Sequence, residues 1–226
     1  MPRLRAAVLL LLLAGPSACA RTPVPEPPGL PAGPALVTEA AERTRALKTA
    51  EFEITSAGRV DRIGIRGARG VVTREGTARG TVQVDQAGSI VELSFVATGD
   101  TLYVRGPTGG WQRVPLASAS SVYDPSPILD PDRGVARLLA TAGDPQVEAR
   151  EPVDGADAFR LQATLDRDAV AALVPGITQD VGATLWVDAE RRVLRQARFP
   201  VPGEGGGGTV TVTLRALDAP VSVTTP

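Results

Sequence analysis

The sequence predicts an α+β fold: one large, curled antiparallel β-sheet, a half-barrel, with a few helices on its concave face. Three observations predict it. Apolar and polar residues alternate with a period of two in segment after segment beyond residue 50. Helix start and stop signals are few and confined to three places. The chain has 226 residues, a length that suits one all-β-sized domain once its N-terminal segment is set aside.

The elements follow in order. Leu36, Ala40, Thr44 and Leu47 fall on one face of a helix predicted over Pro34 to Thr49, with Glu39 and Arg43 as a favourable i,i+4 pair. Alternation then takes over, with Phe52 and Ile54, Val82 and Val84, and Val91, Leu93 and Phe95. Gly99-Asp100 is a hairpin turn leading to Leu102 and Val104. Phe159, Leu161 and Ala163 alternate, Leu185 and Val187 follow, and further strands run from Val193 to Phe199 and from Thr209 to Leu214. Repeated alternation of this kind describes an antiparallel sheet with one wet face. Asp130, with Pro131 behind it, is placed to cap a helix running to about Ala142, and Asp124-Pro125 repeats that device for a short turn. Asp166 caps a third helix, through Val174, stopped by Pro175-Gly176. Three helices are too few to cover both faces of a sheet this wide, which would curl. The space between sheet and helices is assigned to Val82, Val84, Leu93, Phe95, Leu102, Val104, Ile128, Leu129, Leu138, Leu139, Leu173 and Leu185. Those side chains fit a filled core and a cavity equally well.

The N-terminus is an address. Arg3 and Arg5 precede an apolar run from Ala6 to Ala14. Nine helical residues reach only about 13–14 Å, less than half a bilayer core, so residues 1–18 are a signal peptide and not a membrane span. Ser17-Ala18-Cys19 resembles the bacterial lipobox, in which the cysteine sulfur is acylated and the cysteine becomes residue one. Two or more acyl chains anchor stably, where one is marginal. Residues 19–35 are then the acylated Cys19 and a Pro-rich tether, with six prolines from Pro23 to Pro34 and a reach of roughly 50 Å in the polyproline conformation. Residues 36–226 are the folded domain.

Composition removes much chemistry. There is no His, and Cys19 is the single Cys. That excludes disulfides, Ser–His–Asp and Cys–His machinery and nearly all zinc sites. The formal net charge is −1, with 24 Lys and Arg against 25 Asp and Glu, and becomes −3 without residues 1–18, which argues against a nucleic-acid partner. Gly203 to Gly208 matches G-x-G-x-x-G on paper, but a strand follows where a dinucleotide site needs a helix, so it is a hairpin loop. Asp124, Asp130 and Asp132 lack the offsets of a calcium loop and are read as caps. The six arginines from Arg59 to Arg79 are a solvated strand and loop face, with attraction to anionic head groups as the sharper alternative. Ser118 to Ser121 has no base beside it. No enzyme and no cofactor are expected.

Tyr123-Asp-Pro-Ser-Pro-Ile-Leu-Asp-Pro-Asp-Arg-Gly134, followed by the Val135–Ala140 helix, resembles the central signature of the LppX/LprA/LprF/LprG lipoproteins of mycobacteria. Gly99 to Val104, Trp111 and Ala183-Thr-Leu-Trp-Val187 agree, and the resemblance covers about residues 36–224. It implies a half-barrel enclosing an apolar cavity, with the residues above as its lining. It also implies di- or triacylated lipid or glycolipid as ligand, an efflux transporter as neighbour, and residence on the outer side of the cell membrane with some secretion. Arg-bearing loops and Trp111 would meet a glycolipid head at the cavity mouth. The physics agrees with a carrier, because a C16 chain exposes about fifteen methylenes at roughly 0.8 kcal/mol each, about 12 kcal/mol in all, unless apolar wall replaces water. The competing expectation is a surface scaffold lipoprotein with a filled core and no lipid.

Overall fold

The computed structural model describes residues 29–58, 65–86, 88–119, 124–174, 177–201 and 207–226. Cys19, residues 1–18 and most of the tether, Arg59 and Arg62, Ser120 and Ser121, Tyr123, Pro175-Gly176 and the loop from Gly203 to Gly206 therefore lie outside the described residues.

Helix α1 (Gly33–Ala46) leads into six strands: β1 (Thr49–Gly58), β2 (Ile65–Thr73), β3 (Ala78–Gln86), β4 (Ser89–Thr98), β5 (Thr101–Arg105) and β6 (Gln112–Pro115). The short helices α2 (Leu116–Ala119) and α3 (Val135–Ala140) follow. The chain then runs through β7 (Gly143–Val153), β8 (Ala156–Leu165), α4 (Arg167–Ala171), β9 (Val181–Asp188), β10 (Leu194–Val201) and β11 (Gly208–Arg215). Among the described residues all eleven strands join one antiparallel sheet in the order β6-β5-β4-β3-β2-β1-β11-β10-β9-β8-β7. It is curled and unclosed, as expected. Only the β1–β11 pairing joins distant parts of the chain; every other neighbour is next in sequence.

The register sets one apolar row across nine strands. Leu93, Val82, Ala68, Ile54, Val212, Ala197, Leu185, Leu161 and Val147 stand opposite one another in turn, from β4 to β7. With a side-chain period of two, fixing this row fixes the inner face of every strand it crosses. A parallel row runs Val104, Phe95, Gly80, Gly70, Phe52, Leu214. A Cβ on Gly70 would stand 2.2 Å from the Arg79 carbonyl oxygen, and one on Gly80 2.0 Å from that of Arg69. The two glycines therefore allow β2 and β3 to crease where a side chain on either would force them apart.

Helix α1 lies across the inner face of β7 and β10 and packs on α3, which in turn meets α4. Leu36, Val37, Ala40 and Ala41 are its buried stripe. Thr44, also buried, accepts the Leu194 backbone N–H at 3.1 Å, at a register shift where the ladder leaves that group over. Arg74, in the β2–β3 turn, donates from Nε to the Leu47 carbonyl at 2.8 Å and also reaches the Ala46 carbonyl. It thereby satisfies acceptors that a helix C-terminus leaves open.

The outer face is polar. Gln162 donates to Thr184 at 3.1 Å and Gln196 to Thr213 at 3.0 Å, each across one strand pair. Both sheet edges are guarded. β6 has four residues and ends in Pro115, while β7 carries Pro145, Pro152 and two register shifts. Pro200, in the interior strand β10, falls beyond the last β9 pair at Arg198–Thr184, so its missing N–H costs no ladder bond there.

The helix expected from Asp130 starts later than predicted. Asp130 Oδ1 accepts the backbone N–H of Asp132 at 2.9 Å and of Arg133 at 3.0 Å, and its other oxygen takes the Arg133 guanidinium at 2.8 Å. A side chain so engaged closes a turn in competition with the helix, and α3 begins only after Gly134. Asp124 likewise closes a turn, by accepting the Ser126 N–H at 2.9 Å. Asp166 caps α4 as expected, accepting the Ala169 N–H at 3.0 Å, but that helix ends at Ala171. The first helix stops at Ala46, short of Thr49, because Thr49 already pairs in β1.

Candidate functional site

The inner face is the candidate site. Val82, Val84, Phe95, Leu102 and Leu185 are buried members of its apolar cluster, on β3, β4, β5 and β9. Leu93 and Val104 are half-buried against it. Ile128 and Leu129 enter from the turn before Gly134, and Leu138 and Leu139 from α3. Leu173, just after α4, is half-buried at the rim of the same cluster. All twelve side chains named from the sequence thus border one interior.

Burial within that interior is uneven. Beneath the helices, Leu139, Leu161, Leu165, Leu185 and Val187 are 0 % exposed. Ile54, Ile65, Ala68, Val82, Val84 and Val212 keep 5–7 %, as Ala163 (6 %) and Val147 (9 %) do on β8 and β7. Val91, Leu93, Val104 and Val114 beyond them are only partly buried. Side chains that face inward and still touch water border space that the described helices do not fill. Ile54, Ala68, Ala197, Leu161 and Val212 share the row with Val82 and Leu93 but were not assigned to the lining from the sequence. Alternation marked several of their strands, and only the pairing register puts them in line.

Capping holds the inner turn in place. Burial pushes the Asp130 carboxyl up, but the Arg133 guanidinium and the two N–H groups outweigh it and hold the group below the usual carboxylate range. This ties Ile128 and Leu129 into position. Among the described residues, no three His, Cys, Asp or Glu side chains converge on a metal position.

Trp111, expected at a cavity mouth, lies elsewhere. The Arg105 guanidinium sits 4.8 Å from the centre of the Trp111 ring. Arg105 alternates with the inward Val104, so the pair belongs to the outer face. There it borders an open cleft of about 560 Å³ with Arg79, Thr81, Ser94 and the C-terminal Thr224 and Pro226. Trp186 is buried on the outer face too, donating to Glu151 at 2.8 Å under the Arg198 guanidinium. Arg66 is paired with Asp85 at 2.8 Å, and Arg69 lies 3.8 Å from Glu92.

Comparison with known proteins bears on this interior. A family model described as LppX_LprAFG lipoprotein matches residues 32–223. The lipoarabinomannan carrier protein LprG of Mycobacterium tuberculosis is 31 % identical over 201 residues, which covers 87 % of this chain and 83 % of that protein. The crystal structure of LprF from Mycobacterium bovis has a TM-score of 0.75 at 22 % identity, covering 85 % of this chain and 96 % of LprF. That of LppX from Mycobacterium tuberculosis has a TM-score of 0.63 at 24 % identity, covering 84 % and 99 %. Both solved structures share the fold described above.

Proposed function

The chain belongs to the LppX_LprAFG lipoprotein family, and from that premise we propose that it is an envelope carrier, acylated at Cys19, that shelters the tails of a lipid or glycolipid against the inner face of its sheet. The observation that carries the reading is the nine-strand apolar row, continued at the β4–β6 end by inward-facing Val91, Leu93, Val104 and Val114 that stay only partly buried. LprG, a relative over most of this chain, is named for carrying lipoarabinomannan. A glycolipid is therefore the ligand class we assign, with Val82, Val84, Leu93, Phe95 and Val104 as the wall nearest to it. The other residues read from the sequence, Leu102, Ile128, Leu129, Leu138, Leu139, Leu173 and Leu185, complete that wall. The work is binding and release, with no bond made or broken. Tails move from bilayer to wall at little net cost, since both are hydrocarbon.

Among the described residues no helix is long and apolar enough to cross a membrane. The carrier is instead held by the acylated Cys19 through the tether, on the outer side of the cell membrane. An efflux transporter is the partner that would hand lipid to such a carrier.

Two measurements test the proposal. Protein purified without detergent from a lipid-producing actinobacterium is expected to show acyl-lipid adducts in native mass spectrometry. A chain that stays lipid-free there and after incubation with acylated glycolipids overturns the carrier reading and leaves the scaffold. Cells grown on labelled palmitate are expected to label the wild-type chain and not Cys19→Ser; equal labelling refutes the anchor.

A further inference from the structure

Strand polarity sorts the ends of the sheet into two rims. One rim is marked by the pairs Asp85–Ile90, Val84–Ile65, Gly58–Gly208, Val201–Gly208, Leu165–Val181 and Gly143–Thr164. Helix α1 begins at this rim, since Gly33 packs against the Pro145 carbonyl at the start of β7. The chain from Cys19 therefore arrives there. Ten residues, 19–28, span at most roughly 35 Å even fully extended, so the rim cannot stray far from an anchored Cys19.

The same rim carries Ile90, 63 % exposed and, among the described residues, the one large hydrophobic side chain left in water. A single exposed aliphatic residue is ordinary on a protein surface. Its position on the anchor's rim is the second observation. The turn that presents it contributes Gln86, Gly88 and Ser89, all exposed and uncharged. The nearest carboxylate, Asp85, is engaged by Arg66 at 2.8 Å and by the Gly88 N–H at 2.9 Å. Little unpaired charge would have to leave water if the tip entered a nonpolar phase. The inner-face row Val91, Val84, Ile65 ends at this rim as well. Ile90 alternates with the inward Val91 and faces the outer side, so a tail leaving a bilayer beside it would reach this wall around the rim.

We propose that the β3–β4 hairpin, with Ile90 on the second pair from its turn, dips into the surface of the lipid bilayer and sets the anchor-bearing rim against it, so that tails enter and leave the inner face from that side. The partner is the lipid surface itself, engaged by apolar insertion. This rests on the anchored-carrier reading.

The acylated protein is reconstituted into phosphatidylcholine–phosphatidylglycerol vesicles after Ile90→Cys, with an environment-sensitive fluorophore on that thiol; the Cys19 sulfur is blocked by its acyl group. A label at Asp100→Cys, in the β4–β5 turn on the opposite rim, is the control. The Ile90 label is expected to brighten, shift to the blue and be quenched by spin-labelled acyl chains, and the Asp100 label to do neither. Both labels remaining in water, or the Asp100 label alone entering, overturns the docking.

A second variant separates docking from cargo. Ile90→Asp is expected to slow lipid transfer between vesicles about tenfold, the loss of one buried aliphatic side chain, with acyl-lipid adducts by native mass spectrometry unchanged. Unchanged transfer overturns the docking. A fall in adducts places Ile90 at the cargo and overturns it too. A wild-type chain without adducts instead sinks the carrier reading, and the fluorophore experiment then decides the docking by itself.

Discussion

Gly134→Ala is expected to destabilise the fold by about 3 kcal/mol, the upper end of what overpacking costs. A Cβ at this position would stand 2.3 Å from the Pro127 carbonyl oxygen, 2.5 Å from that of Ile128 and 2.6 Å from that of Asp130. All three atoms are backbone, so no side chain can swing aside. The turn is also knotted through the same residues: Gly134 donates to the Asp130 carbonyl at 2.8 Å and Val135 to that of Ile128 at 3.1 Å. Relieving the clash means opening the turn. That withdraws Ile128 and Leu129 from the interior and loosens α3, whose Leu138 and Leu139 pack beneath α1. For a domain of this size the loss corresponds to roughly 6–12 °C in melting temperature. Gly182→Ala, where an added Cβ meets nothing within 4 Å, is the control and should melt near wild type. Equal melting of the two variants would show that the turn yields freely and contributes nothing to rigidity.

Val82→Trp is expected to lower lipid loading at least tenfold while the chain still folds. Val82 stands between Ala68 and the partly buried Leu93 on the inner face. An indole projecting there displaces ligand methylenes. Two of them, at about 0.8 kcal/mol each, already account for a tenfold change in affinity. The measurement is adduct intensity in native mass spectrometry beside a urea unfolding curve. Hydrocarbon space predicts lost adducts with a near-normal curve. A solid core predicts no adducts from either chain and a stability falling by about 1–3 kcal/mol. Intact adducts would remove Val82 from the ligand wall.

The two variants probe parts of the molecule that were unequally legible beforehand. Strands with bulky alternating residues declared themselves: β4 with Val91, Leu93 and Phe95, β8 with Phe159 and Leu161, and β11 with its valines between threonines. β2 did not, because its inner positions hold Ala68 and Gly70, too small to register as an apolar beat, and because a register shift follows Ile65. β7 hid for a related reason, its weak alternation broken by two shifts. β6 has four residues and one aliphatic side chain, too short for any period.

The late start of α3 is a matter of local competition. Asp followed by Pro reads as a helix cap, yet the Asp130 carboxylate holds its own turn closed. For the site, the direction in which strand residues face followed from alternation, while the way rows align across nine strands needed the register. Trp111 is the instructive miss. The family resemblance suggested it as a head-group contact, and the parity of Arg105 with Val104 turns it outward.

The guarded edges acquire a further meaning if the molecule is tethered in a leaflet. Confinement to two dimensions raises the concentration at which copies meet, as any linkage does. An open sheet presenting bare backbone at both margins would then seed fibres along the envelope. Pro115 at one margin, and Pro145, Pro152 and the kinked backbone of β7 at the other, keep neighbours from zipping together. The sheet can remain unsealed without polymerising in the crowd.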